Sequence, residues 1–280
     1  MKTSNAPLPD GTPANRWPDV DRGNLGLWYD KHCDRWKSDF RGLYDPEPTA
    51  EYGGGKLEWL GWAIKAAHAR SDDPHFCDLV AEFATRQRRF ALERGGVCFR
   101  GRTVTKFVSG LGRAHPVQNG FEWHHSLGVP MLRGSGQKGV VRDWVTIWET
   151  VDPEHCKRVL GTLPPELREG SVAYLPALPT HPPELCIDGT TPHLTEYYQH
   201  QKPPADWYNP VPQQWLAVAK GVEFQFAVVP VRRAAAGQRD VGMACDWLKA
   251  ALTTIGAGAG TAVDRGLFEI VEEPRAGSPS

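Results

Sequence analysis

The sequence predicts an α+β fold, with helices packed against an antiparallel sheet. Two observations predict it. Apolar residues recur at helical spacing up to about residue 94, then switch to alternation at residue 97. After that switch, strand-type and helix-type segments follow one another, separated by glycine-rich breaks.

Each element has its own signal. Leu57, Leu60, Ile64 and Ala67 share a helical face and predict a helix over 56–69. Phe76, Leu79, Val80 and Phe83 predict a second over 75–94, with Pro74 in its first turn. Arg86, Arg88 and Arg89 near its end suit the negative pole of the helix dipole. Gly95-Gly96 breaks that helix, and 97–108 reads as one or two strands. A glycine-rich polar stretch covers 109–139. Val140, Val141, Trp144, Val145 and Trp148 then predict an amphipathic helix. Residues 170–178 read as a short strand. Residues 215–219 and 222–229 read as a hairpin across Lys220-Gly221. Met243, Ala244, Trp247, Leu248, Ala251 and Leu252 make the last helix, a glycine-rich turn over 256–260 stops it, and 263–271 is a final strand. With the first helices and a Pro- and aromatic-rich insertion (176–214) set aside, the order is strand, helix, strand, strand, helix, strand. That is the ferredoxin-like or RRM-like plan.

A chain of 280 residues allows one large domain or two small ones. The expected organisation is a flexible arm (1–22), a single domain (23–272) carrying the insertion, and a disordered tail (273–280). Lys and Arg number 32 against 33 Asp and Glu, a net charge of −1, so any polyanion must be met by a local basic patch or with help from partner chains. Six cysteines form no CxxC pair, which reads as reduced thiols of a cytoplasmic protein and not as a metal site. No apolar run is long enough to span a membrane. Eleven Trp and 24 Pro point to many loops and several flat aromatic surfaces, suited to stacking, an interface or a core.

The candidate site lies where the strand ending near residue 108 runs through a glycine-rich loop into a helix start. Helix N-termini expose unpaired N–H groups and attract anions. Glycine lets the backbone approach a phosphate closely. Lys138 and Arg142 stand four apart on one helix face, opposing the dipole and each other. A bound polyanion would remove that cost, and so would simple solvation. The glycine spacing does not match a nucleotide P-loop.

Two runs, residues 110–125 (Gly-Leu-Gly-Arg-Ala-His-Pro-Val-Gln-Asn-Gly-Phe-Glu-Trp-His-His) and 134–142 (Gly-Ser-Gly-Gln-Lys-Gly-Val-Val-Arg), resemble the signature of one RAMP-superfamily family. It is the sixth-subunit family of the type III-B (Cmr) CRISPR effector complex. Asn24, Gly170-Ser171-Val172, Thr191-Pro192-His193, Tyr197-Tyr198, Asp206-Trp207, Asn209-Pro210-Val211-Pro212 and Gly256-Ala257-Gly258 agree in order, so the resemblance covers about residues 24–270. Two departures stand out. Arg133-Gly134-Ser135-Gly136 replaces the usual Pro-Gly-Ser-Ser, and the C-terminal loop has Gly260 where a basic residue is usual and Asp264-Arg265-Gly266 in place of Gly-aromatic-Gly.

The resemblance implies a non-catalytic subunit without cofactor that holds the 3′ part of a guide RNA (crRNA). The expected partners are crRNA, target RNA, the repeating backbone RAMP subunit, a neighbouring RAMP subunit and the small helical subunit. The RNA contacts it points to are Gly110, Gly112, Arg113, His115, Ser135, Lys138 and Arg142, with Gly258, Gly260 and Arg265 in the C-terminal loop. Tyr197, Tyr198, Trp207 and Tyr208 are candidates for stacking or for a subunit interface. Two alternatives remain open. A guide-RNA-processing endoribonuclease would use a histidine among His115, His124 and His125 as general base beside Lys138. A scaffold would touch protein alone.

Overall fold

The computed structural model describes residues 23–33, 55–149, 151–191, 203, 212–232 and 235–271. The expected arm, the tail, and Tyr197, Tyr198, Trp207 and Tyr208 lie outside them.

Asn24 caps a first short helix, α1 (Leu25–Lys31), accepting from the Leu27 amide at 2.9 Å. Helix α2 (Gly55–Ser71) is followed by α3 (Pro74–Glu93), which starts as the sequence predicts, with Pro74 in the first turn. Asp73 is its N-cap, accepting from His75 N at 3.0 Å. The remaining elements are β1 (Val97–Thr103), α4 (Gly134–Asp143), α5 (Pro153–Leu160), β2 (Val172–Tyr174), β3 (Leu178–Pro179), β4 (Leu185–Thr190), β5 (Gln213–Val218), β6 (Glu223–Pro230), α6 (Ala235–Thr254) and β7 (Phe268–Val271). The main sheet has the order β2-β6-β1-β7, with β3 also on β6, and every pairing is antiparallel.

Alternation along β6 builds two buried faces. Phe224, Phe226 and Val228 join Phe99, Phe268, Val241, Cys245, Trp247 and Leu248 in the main core under α4 and α6. Each fully buried side chain of this size contributes roughly 1.5–3 kcal/mol. Ala227 and Val229 point the other way, into a cluster with Ala91 of α3 and with Cys98 and Ala173. On the same face the buried Gln225 amide donates to Ala84 O at 2.8 Å and to Gln87 Oε1 at 3.0 Å, both in α3. Helix α3 therefore covers the sheet face that a bare RRM-like plan leaves open.

Three expectations need correction. The predicted hairpin of 215–219 with 222–229 does not form: β5 pairs with β4, from Leu185↔Val218 to Thr190↔Gln213, in a separate two-stranded ribbon. Thr103 is the reason. Its Oγ1 donates to Ala219 O at 2.8 Å and accepts from Val222 N at 3.0 Å, and its carbonyl accepts from Gly221 N at 2.7 Å. The end of β1 thus occupies the turn and sends the chain from one sheet to the other. Second, α4 begins at Gly134, within the expected helix entry at 133–136, but the apolar repeat does not continue as α-helix: it ends in a π-helical turn over Trp144–Trp148. Third, α5 has no counterpart among the elements that periodicity predicts; Asp152 caps it, accepting from Glu154 N at 3.0 Å.

Candidate nucleic-acid interface

The segment leading from β1 to α4 is held by bridges, not by a regular sheet. Phe107 bridges Val218, Trp123 bridges Pro130, and Leu132 bridges Ala177. Phe107, Phe121 and Trp123 are buried and anchor it in the core. Glu122 sits between two of these anchors. Its amide donates to Ser109 O at 2.9 Å, its carbonyl accepts from Met131 N at 3.0 Å, and its side chain is only 7% exposed.

That carboxylate organises two arginines. Arg113 Nη1 donates to Glu122 Oε1 at 3.1 Å and Arg133 Nη2 donates to the same oxygen at 2.7 Å. The arginine side chains are 46% and 56% exposed. Two guanidiniums against one carboxylate leave one net positive charge, with further N–H donors turned to solvent. Guanidinium forks of this kind suit phosphate oxygens.

Arg133 is also the N-cap of α4 and offers no side-chain cap, while Ser135 and Gly136 in the first turn are exposed. A helix end left uncapped beside two arginines is an anion-attracting surface. The helix is placed tightly. A Cβ on Gly134 would meet the Tyr174 carbonyl. The fully buried Gln137 donates to Leu175 O at 2.7 Å and Leu132 O at 3.2 Å.

The C-terminal glycine-rich loop joins the same end of the molecule. Ala259 N donates to Val108 O at 2.8 Å, and Gly266 N to Lys106 O at 2.9 Å. Gly258 and Gly260 have φ of 96° and 76° and are exposed. The loop is fastened to the β4-β5 ribbon by Arg265. Its Nε donates to Asp188 and its Nη2 to Gly189 O at 2.9 Å, and it lies over the Trp215 ring. Burial works to raise the Asp188 pKa, but the bonds from Arg265 and the Gly189 backbone, with Lys106 nearby, hold it below the usual carboxylate value.

The structure thus brings together Gly110, Gly112, Arg113, Ser135, Gly258 and Gly260. Gly110 has a φ of 85° and packs on the Glu122 backbone, while Gly112 is exposed with open space around it. It separates others. His115 is inward: its side chain is 2% exposed and stacks on Tyr29 at 4.4 Å. Nε2 lies 2.8 Å from Tyr29 O, and Nδ1 accepts from Val117 N at 3.2 Å, which places the proton on Nε2. Burial pushes its pKa down to about 4, against the Tyr29 bond and helped by Arg113 and Lys31. Arg142 points to the far end of α4, where Nη2 donates to Leu160 O at 3.1 Å and Gly161 O at 3.3 Å, satisfying the C-terminus of α5. Lys138 is half-buried; desolvation, then Arg142, lower its pKa, and Glu169 opposes them. Arg265 is only 15% exposed. His115, Arg142 and Arg265 are therefore spent on the fold and offer little to a ligand.

Arg133 and Glu122 are the residues that sequence reasoning missed. The signals were present. A single acid stands between aromatic residues in Phe121-Glu122-Trp123, and an arginine replaces the proline usual before Gly-Ser.

No family model matches the chain. It is 27% identical to the CRISPR system Cmr subunit Cmr6 of Pyrococcus furiosus, over 59% of this chain and 65% of the relative. The chain thus spans a little under two thirds of that relative's length. Among solved structures it is similar to a chain of the type III-B Cmr-beta complex bound to cognate target RNA. The TM-score is 0.58 and the identity 21%, covering 82% of this chain and 78% of that one. The crystal structure of Pyrococcus furiosus Cmr6 aligns at TM-score 0.42 and 22% identity, over 63% of this chain and 98% of that one. The sequence similarity to Cmr6, together with a mixed helix-and-sheet fold shared with the Cmr-beta chain, supports a relationship of this chain to the type III-B RAMP subunits.

Proposed function

We propose that this chain is a non-catalytic crRNA-binding subunit that holds the 3′ part of the guide and caps the backbone filament in a cytoplasmic type III-B complex. In this reading residues 23–272 are one ferredoxin-like RAMP domain with 176–214 as its insertion. The strand order β2-β6-β1-β7 supports it. The partners are crRNA and target RNA, the repeating backbone RAMP subunit, a neighbouring RAMP subunit and the small helical subunit.

The observation that carries the RNA reading is the Arg113–Glu122–Arg133 cluster beside the uncapped start of α4. Exposed glycines of two loops lie against the same region, where a backbone can follow a phosphodiester chain without steric hindrance. Because α3 lies on the reverse sheet face, RNA is gripped at loop ends and not across the sheet. Lys138 is an outlying contact in this reading. The endoribonuclease alternative loses support at His115, whose two ring nitrogens are engaged inside the protein.

The test is reconstitution of the complex with Arg113→Ala/Arg133→Ala and measurement of crRNA retention against salt. Retention should fall at every salt concentration, and the log–log salt slope should shrink by about 2. An unchanged slope with intact assembly would sink the RNA reading and favour a scaffold that touches protein alone.

A further inference from the structure

A cavity of about 700 Å³ opens at the other end of β6, where Val231 and Arg232 leave the strand and α6 begins. Its size is that of a site for a nucleotide-sized ligand. None of the sequence-predicted contacts lines it.

Its wall is built around a buried acid. Asp240 of α6 has a side chain 4% exposed and is held by Arg158, with Nη2 at 2.9 Å and Nε at 3.2 Å from Oδ1. Ser171 Oγ donates to Oδ2 at 2.6 Å. The backbone closes the same corner, since Ser171 N donates to Arg158 O and Val231 N to Ser171 O, both at 2.9 Å. Arg158 is therefore fixed in place, yet half its side chain remains exposed to the cavity side of the pair. Lys157 is matched by Glu154 at 2.8 Å.

Two lining cations have no such match. Arg168 and Arg232 are exposed and make no side-chain ion pair or hydrogen bond among the described residues, while Glu169, the remaining lining acid, is within electrostatic reach of Lys138. Arg232 also stands just ahead of α6, at the positive pole of that helix dipole, where a cation is unfavourable and an anion favourable. Arg168 lies close enough to Lys157 to oppose its charge. The lining thus carries four cations against three acids, and an anion bound there would offset the excess.

We propose that this cavity is a second phosphate-recognition site, in which Arg168 and Arg232, with Arg158 held in place by Asp240, bind the phosphate of a nucleotide-sized ligand. The inference does not depend on the guide-RNA reading, because the site lies away from the arginine cluster and the glycine-rich loops.

The test uses full-length protein carrying Arg113→Ala/Arg133→Ala, so that the first site is weakened. It is titrated calorimetrically with uridine 5′-monophosphate, ATP and a 5′-phosphorylated uridine decamer. Saturable binding of at least one probe is expected, weakened about tenfold or more when Arg168→Ala/Arg232→Ala is added. Both arginines are exposed, so the added changes leave the fold intact, which circular dichroism checks. Comparable binding of the mononucleotides and the decamer assigns the phosphate to a free nucleotide; binding of the decamer alone assigns it to an RNA end. No saturable binding by any probe, or binding indifferent to Arg168 and Arg232, overturns the proposal.

Discussion

Arg113 and Arg133 donate to one and the same oxygen of Glu122, the first from nine residues before it and the second from eleven residues after it. The carboxylate both holds the loop closed and keeps two like charges side by side. Glu122→Ala should therefore destabilise the fold by roughly 1–3 kcal/mol, the cost of leaving charged donors unpaired. Urea unfolding measures this. In an Arg113→Ala/Arg133→Ala background the same change should cost clearly less, because the groups it strands are gone. Equal costs in the two backgrounds would show that Glu122 acts through its packing alone.

His115 makes stability depend on pH. Its folded pKa lies at about 4, below the usual histidine value, so between those two values the unfolded chain binds a proton that the native protein does not. Stability from this group is complete above about pH 6.5 and declines as pH falls towards 4, by on the order of 3 kcal/mol in all. His115→Gln, whose amide can still donate to Tyr29 O, should flatten the profile in that window. A variant whose denaturation midpoint falls with pH as steeply as wild type would assign the effect to other groups.

Two glycines of α4 should respond in opposite ways to alanine. Gly134 is pressed against the Tyr174 carbonyl, so Gly134→Ala must push α4 off β2, at about 3 kcal/mol. Gly139 is exposed, and a methyl group there would meet nothing within 4 Å, so Gly139→Ala should stabilise the helix by roughly 0.5–1 kcal/mol. Thermal unfolding of the pair decides it: a lower midpoint for Gly139→Ala, or no drop for Gly134→Ala, contradicts the packing described.

Arg265 ties the glycine-rich loop to the ribbon through Asp188 and Gly189. Arg265→Ala leaves Asp188, 12% exposed, with Lys106 at 3.5 Å as its remaining nearby cation beside the bond from the Gly189 backbone. A loss of roughly 2–4 kcal/mol is expected. Amide exchange should speed up at Ala259, whose N–H bonds Val108 O, while α3 stays protected. Uniform exchange changes across the protein would mean that Arg265 supports the whole fold and not this loop.

The sequence by itself determined the alternation of strands and helices and the start of α3 at Pro74, and it pointed to the region of the candidate site. Those features depend on local periodicity, capping and glycine content, which neighbours in the chain carry. It also supplied the family resemblance, through motifs spread over most of the chain. Tertiary structure decided the rest. Whether 215–219 pairs with its neighbour 222–229 or with distant 185–190 depends on Thr103 filling the turn, a contact across more than a hundred residues. The sequence also could not tell which cations remain available. Arg142, Arg265 and Arg133 look alike in a string of letters. The first caps α5 and the second is buried on Asp188, while the third, shared with Arg113 on Glu122, still faces solvent. A side chain's charge is local, but what neutralises it is set by whichever carbonyls and carboxylates the fold brings within hydrogen-bond reach.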